Sequence, residues 1–122
     1  MLALAYLCDH DHPAAARVIA AGLERFPGDP GLIEQQGDLY QATGRPDDAL
    51  AWWRRAAQAA PDDYGISMHY SAAFLLERLG RLAEAAGEWR FIVNWNEERD
   101  AVIEAQWPRE MLQRIEAALG AR

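Results

Sequence analysis

The sequence has no lysine. All twelve of its basic residues are arginine, set against nineteen Asp and Glu, and the net charge is −7. A net charge of that sign is a poor match for nucleic acid, because binding there depends on Lys and Arg neutralising phosphates. Anionic membrane surfaces are disfavoured for the same reason. Coding bias in a GC-rich genome accounts for the missing lysine. The carboxylate surplus keeps the surface soluble and leaves a basic partner compatible. The single Cys8 cannot close an internal disulfide, so nothing calls for an oxidising compartment. No apolar run approaches the roughly 18 residues a membrane-spanning helix needs. Met1–Cys8 has no basic leader, and Asp9 and Asp11 follow it at once, so no secretory signal is expected and the cytoplasm is the expected compartment.

Chemistry is equally scarce. Ser67 and Ser71 are the only serines, and no acid–His spacing supports either as a nucleophile. Gly28 and Gly31 sit in a Pro-punctuated turn with no following Lys or Ser/Thr, so no phosphate loop is formed. Asp47/Asp48 and Asp62/Asp63 read as helix-start and turn residues rather than acid–base pairs. Cys8-Asp9-His10-Asp11-His12 contains ligand types that suit zinc, yet adjacent residues cannot all turn toward one ion, and the run falls on a turn where polar residues are expected anyway. His69 reads as an inter-helix packing residue. No enzyme, no cofactor and no metal is expected.

What the chain does have is an ordinary globular balance, 51% apolar and 25% charged, in 122 residues, enough for one domain with its own core. Helical periodicity runs throughout. A first helix is expected over about 1–8 and a second over about 13–26, with Pro13 in its first turn. A third is expected over about 31–43, stopped by Gly44, and a fourth over about 46–59, with Asp47 and Asp48 where the helix dipole favours anions. The fifth and sixth are expected over about 65–79 and 82–95, divided by Gly80. Asn96 to Trp107 reads as a polar loop, after which Pro108 opens a last helix over about 108–119. Its Met111, Leu112, Ile115, Ala118 and Leu119 form one apolar stripe.

These helices repeat. An offset of 34 residues pairs Pro61 with Pro27, Ala49 with Ala15 and Tyr40 with Tyr6. An offset of 36 pairs Gly44 with Gly80, Arg45 with Arg81, Ala49 with Ala85 and Trp53 with Trp89. Helix pairs of that period stack into solenoids, and solenoids bind macromolecules. The central unit, Gly37, Tyr40, Ala49, Trp53 and Pro61, resembles the tetratricopeptide repeat, whose signature runs W-x2-L-G-x2-Y, A-x3-F, P. Ile33 and Gln36 replace its first two elements. The first unit carries Ala3, Tyr6, Ala15, Ile19 and Pro27, and the third Ala73, Leu76, Ala85 and Trp89, with Glu97 where a Pro would fall.

The resemblance implies an all-α, right-handed α-solenoid of three helix pairs, about 1–29, 30–63 and 64–97, with a C-terminal loop and capping helix over 98–122. It implies a non-catalytic module that binds a peptide or helix of another protein in a concave groove lined by the first helix of each pair. The groove-facing places carry Glu34, Asp38 and Gln41 in the central unit, Tyr70, Phe74, Glu77 and Arg78 in the third, and Leu4, Leu7 and Cys8 in the first: an acidic centre beside an aromatic patch. Family members that grip C-terminal carboxylates use a basic clamp. The corresponding places here hold Leu4, Gln35, Ser67 and Ser71, so that ligand is not expected. Trp53 and Trp89 fill the aromatic place of the repeat, while Trp52 is less constrained and Trp95 and Trp107 are expected beneath the last helix. Leu2, Leu4, Tyr6 and Leu7 leave the first helix apolar nearly all round. Homodimerisation through Leu2, Leu4 and Leu7, or a place as a regulatory fragment of a larger protein, is the alternative expectation.

Overall fold

The computed structural model describes residues 11–120, which form six helices joined by short turns. They are α1 (His12–Arg25), α2 (Pro30–Ala42), α3 (Pro46–Ala59), α4 (Asp63–Arg78), α5 (Leu82–Glu98) and α6 (Val102–Gly120). No strand occurs among the described residues, and the expected all-α class holds there. The expected first helix, with Leu2, Leu4, Leu7 and Cys8, lies outside the described residues. Packing divides the chain into two compact units, one up to Met68 and one from His69, with α4 contributing to both.

Aspartate and proline set two of the helix starts. Asp11 Oδ1 accepts the Ala14 N–H at 3.1 Å ahead of α1, and Asp29 Oδ1 accepts the Leu32 N–H at 3.1 Å ahead of α2. Each satisfies one of the amides a helix leaves unpaired at its beginning, and each is followed closely by a Pro whose fixed φ suits the first turn. α3 has no side-chain cap. It relies on Pro46 and on Asp47 and Asp48 in the first turn, with Arg45 paired to Asp48 at 2.8 Å.

Three helices stop in the same way. After α2 the Gly44 N–H donates to the Gln41 carbonyl at 3.3 Å and the Arg45 N–H to Tyr40 at 2.8 Å. After α4 the Gly80 N–H donates to Glu77 at 3.0 Å and the Arg81 N–H to Leu76 at 2.9 Å. After α5 the Asp100 N–H donates to Glu97 at 3.1 Å and the Ala101 N–H to Asn96 at 2.9 Å. This is the Schellman arrangement, which needs a left-handed residue just past the helix. Gly44 (φ 78°) and Gly80 (φ 74°) adopt it without a Cβ penalty, whereas Asp100 (φ 56°) adopts it with one. Asp100→Gly is therefore expected to stabilise the chain by about 0.5–1 kcal/mol. A fall in the thermal midpoint would show instead that the Asp100 carboxylate contributes more than its backbone costs.

The first unit buries Ala15 and Ile19 of α1 against Leu39 of α2, with Ala16, Val18 and Leu23 packed around them. Ile33 and Gly37 of α2 are buried, as are Ala49, Leu50, Trp53 and Ala56 of α3. The second unit buries Ala72, Ala73, Leu75 and Leu76 of α4, Ala85, Trp89, Ile92 and Val93 of α5, and Ala105 and Ile115 of α6. Within it His69 of α4 meets Glu88 of α5 at 2.6 Å and stacks on Phe91, with ring centroids 4.0 Å apart, an inter-helix position as expected. Arg109 pairs with Glu97 at 3.1 Å and Arg90 approaches Glu116 at 3.4 Å, so α6 runs back along α5.

The end of the chain departs from the sequence reading. α5 continues to Glu98, and α6 begins at Val102, so the expected loop from Asn96 to Trp107 shrinks to Arg99–Ala101. Pro108 does not open a helix; it lies inside α6. Proline lacks the N–H that would bond to the residue four positions back, which normally ends a helix. Here Pro108 is fully buried and falls on one face with Ala105 and Ile115, so burial of that stripe offsets the missing bond.

Candidate functional site

The groove-facing positions expected on the first helix of each pair fall on α2 and α4, and each set belongs to its own compact unit. On α2, Glu34, Asp38 and Gln41 follow helical spacing along one side. Gly37 next to them has no side chain, and the Trp53 ring of α3 fills that space. A Cβ on Gly37 would come within 2.6 Å of Trp53 Cδ1 and 3.2 Å of the Ala49 carbonyl. This close approach brings the Trp53 Nε1–H to Asp38 Oδ1 at 3.0 Å. The Tyr64 hydroxyl donates to Glu34 Oε1 and lies 3.3 Å from the Pro30 carbonyl.

The ionisation of this cluster follows from its surroundings. Burial pushes the Asp38 carboxyl up to about 6; the Trp53 hydrogen bond works against that shift and the Glu34 charge adds to it. Burial also raises the Tyr64 phenol, helped by its hydrogen bond to Glu34 and by the charges of Glu34, Asp38 and Asp29. An unfolded Asp38 would release its proton near 3.8, while the folded one keeps it to about 6. Between those values the folded state binds more protons, so stability contributed by this residue falls as pH rises through that window and stays low above it. Asp38→Asn keeps an oxygen for the Trp53 N–H and removes the charge. Because Asp38 is only half-buried, solvent discounts the effect, and Asp38→Asn is expected to gain about 1 kcal/mol over the unmodified chain near pH 7 and almost nothing near pH 4. Urea unfolding of both proteins at the two pH values checks this; an equal difference at both would mean that Asp38 is not the group responsible.

On α4, Tyr70 and Phe74 lie one turn apart and meet Trp89 of α5 and Trp107 of α6. Trp89 stands edge-on to all three other rings, at 5.5 Å from Tyr70, 5.3 Å from Phe74 and 5.4 Å from Trp107. Tyr70 is nearly parallel to Trp107 at 6.1 Å, and Phe74 lies 5.9 Å from Trp107. Trp89 is wholly buried, whereas Phe74 is 42% and Trp107 47% exposed. The result is an aromatic platform with a buried floor and an open upper surface. Burial raises the Tyr70 phenol. Glu77 completes the cluster: one carboxylate oxygen accepts the Trp89 Nε1–H at 3.1 Å and the other accepts from Arg114 at 2.6 Å.

The structure thus gathers Glu34 with Asp38, and Tyr70 and Phe74 with Glu77. Gln41 is half-buried and Arg78 exposed, and among the described residues neither is bonded to a member of these clusters. Trp107 corrects an expectation. Its helix starts before it rather than after it, so the ring lies on the surface of α6 as part of the platform and not beneath a later helix. The roles of Trp53 and Trp89 as hydrogen-bond donors were missed. Their signal was present: a tryptophan brings an N–H that needs an acceptor once buried. Asp38 and Glu77 meet that need from the preceding helix in both units.

Among the described residues no helix is long and apolar enough to cross a membrane. No protein-family model and no curated protein matches this chain.

Proposed function

We propose that this chain is a tetratricopeptide-like array, with α6 as its terminal cap, that recruits a segment of another protein by non-catalytic binding. The repeat is supported by residues 36 positions apart that do the same work in each unit. Gly44 and Gly80 stop their helices in the same left-handed conformation. Ala49 and Ala85 are wholly buried, and Trp53 and Trp89 are buried with an indole N–H on a carboxylate of the helix before. Non-catalytic binding is supported by how the carboxylates are used. Glu34 is bonded to Tyr64, Asp38 to Trp53, and Glu77 to Trp89 and Arg114, so each helps hold an aromatic side chain or an ion pair in place. A cytoplasmic protein partner, rather than nucleic acid or membrane, suits a net charge of −7.

The observation that carries the reading is the open surface of the Tyr70–Phe74–Trp107 platform. Large aromatic side chains are enriched among the residues that dominate binding energy, and a fully buried ring beneath them holds them rigid before any partner arrives. Selection of a displayed peptide library on the full chain tests it. Selected peptides are expected to lose about tenfold or more in affinity for Phe74→Ala and for Trp107→Leu, each checked for folding by circular dichroism. Peptides that bind both variants as tightly as the unmodified chain would place binding elsewhere and sink the proposal.

A further inference from the structure

Four aromatic rings outside the platform are each covered by one of the chain's own guanidinium groups. Arg25 lies over Phe26 at 5.7 Å, Arg45 over Tyr40 at 4.7 Å, Arg55 over Trp52 at 4.1 Å and Arg99 over Trp95 at 3.8 Å. The electron-rich face of an aromatic ring attracts a cation, and a guanidinium, being planar and weakly hydrated, lies flat on it. Tyr70, Phe74 and Trp107 have no such group over them among the described residues, although Phe74 is 42% and Trp107 47% exposed. On the α6 side the charges are unbalanced in the same sense. Glu104 and Glu110 stand one turn to either side of Trp107 on α6, both exposed and neither in an ion pair among the described residues. The neighbouring cations of α6 are already engaged, Arg109 with Glu97 and Arg114 with Glu77.

We infer that the platform receives an arginine side chain from a basic peptide segment, its guanidinium lying on the ring faces and its charge answered by Glu104 and Glu110. The inference rests on the peptide-binding reading and narrows it to a cationic, arginine-bearing partner. Arg78, exposed one turn beyond Phe74, repels a second cation and so directs the incoming group toward α6. Arginine is favoured over lysine because the ammonium of lysine is a strongly hydrated point charge that loses more water on reaching a ring.

The test uses the full chain and two capped octapeptides, one alternating Gly with Arg and one alternating Gly with Lys. Binding is followed through the indole N–H resonances, with that of Trp107 identified by its loss in Trp107→Leu. The arginine peptide is expected to shift the Trp107 resonance and to bind about threefold or more tightly than the lysine peptide. Trp107→Leu, which keeps an apolar side chain and removes the ring face, is expected to weaken the arginine peptide about tenfold. Glu104→Gln with Glu110→Gln should weaken it less and flatten its dependence on salt. Equal binding of the two peptides, undiminished in Trp107→Leu, would mean a general response to net charge and would overturn the inference. So would an arginine peptide that fails to bind while a library-selected peptide without basic residues still depends on Phe74 and Trp107; that result would leave peptide binding itself standing.

Discussion

Trp89→Ala is expected to lower the unfolding free energy by about 3–5 kcal/mol, the range for emptying a buried tryptophan site. Trp89 is wholly buried and touches the rings of Tyr70, Phe74 and Trp107, so no single neighbour can move in to fill the void. The loss is a large share of the marginal stability of a chain this size. It also deprives Glu77 of one of its two donors, leaving Arg114 alone on the carboxylate. Trp89→Phe is the milder variant, since it keeps an aromatic ring in the site and removes the N–H together with part of the indole volume. It is expected to cost about 1–3 kcal/mol, from the partner taken from a half-buried acceptor and from the smaller ring left in the site. Urea denaturation measures both, and a loss below that of Trp89→Phe for the alanine variant would mean that the four rings do not form one packed unit.

Gly37→Leu is expected to destabilise by roughly 1–3 kcal/mol even though leucine is the better helix former. The added Cβ would meet Trp53 at 2.6 Å and 2.7 Å and the Ala49 carbonyl at 3.2 Å. Trp53 cannot simply swing aside, because it is buried in α3 and its Nε1–H is held by Asp38. α2 and α3 must separate or the indole must give up its hydrogen bond. Gly87, inside α5, is the matched control, with nothing within 4 Å of a Cβ placed there. Gly87→Ala is expected to gain up to about 1 kcal/mol from helix propensity alone. If Gly37→Leu and Gly87→Ala move the unfolding midpoint in the same direction, the close approach of α2 and α3 is not a determinant of stability.

Much of the helical framework was legible because its punctuation is local. Pro13, Gly44 and Gly80 act through backbone geometry and bonds a few residues away, and such signals survive in the sequence whatever the tertiary packing. Pro108 misled for the complementary reason. Its preference for a helix start is also local, but its burial with Ala105 and Ile115 depends on α6 packing against α5, which no short window contains. The same holds for the site. Tyr70, Phe74 and Glu77 share one side of a helix by their spacing alone, whereas Trp107, Arg114 and the acceptor roles of Asp38 and Glu77 arise from contacts between helices. Asp100 was hidden by its identity: a non-glycine residue gives little notice of a left-handed turn.

The Schellman stops bear on how quickly the chain folds as well as on where its helices end. Each closes with backbone bonds that reach back three to five residues, so the segments it brings together are near neighbours along the chain. The α2–α3 and α5–α6 hairpins need only short loops to be closed, and the entropy lost in closing a loop grows with its length. Proteins dominated by such low contact order fold toward the fast end of the known range. Each hairpin can therefore find its own partner helix before distant parts of the chain have met.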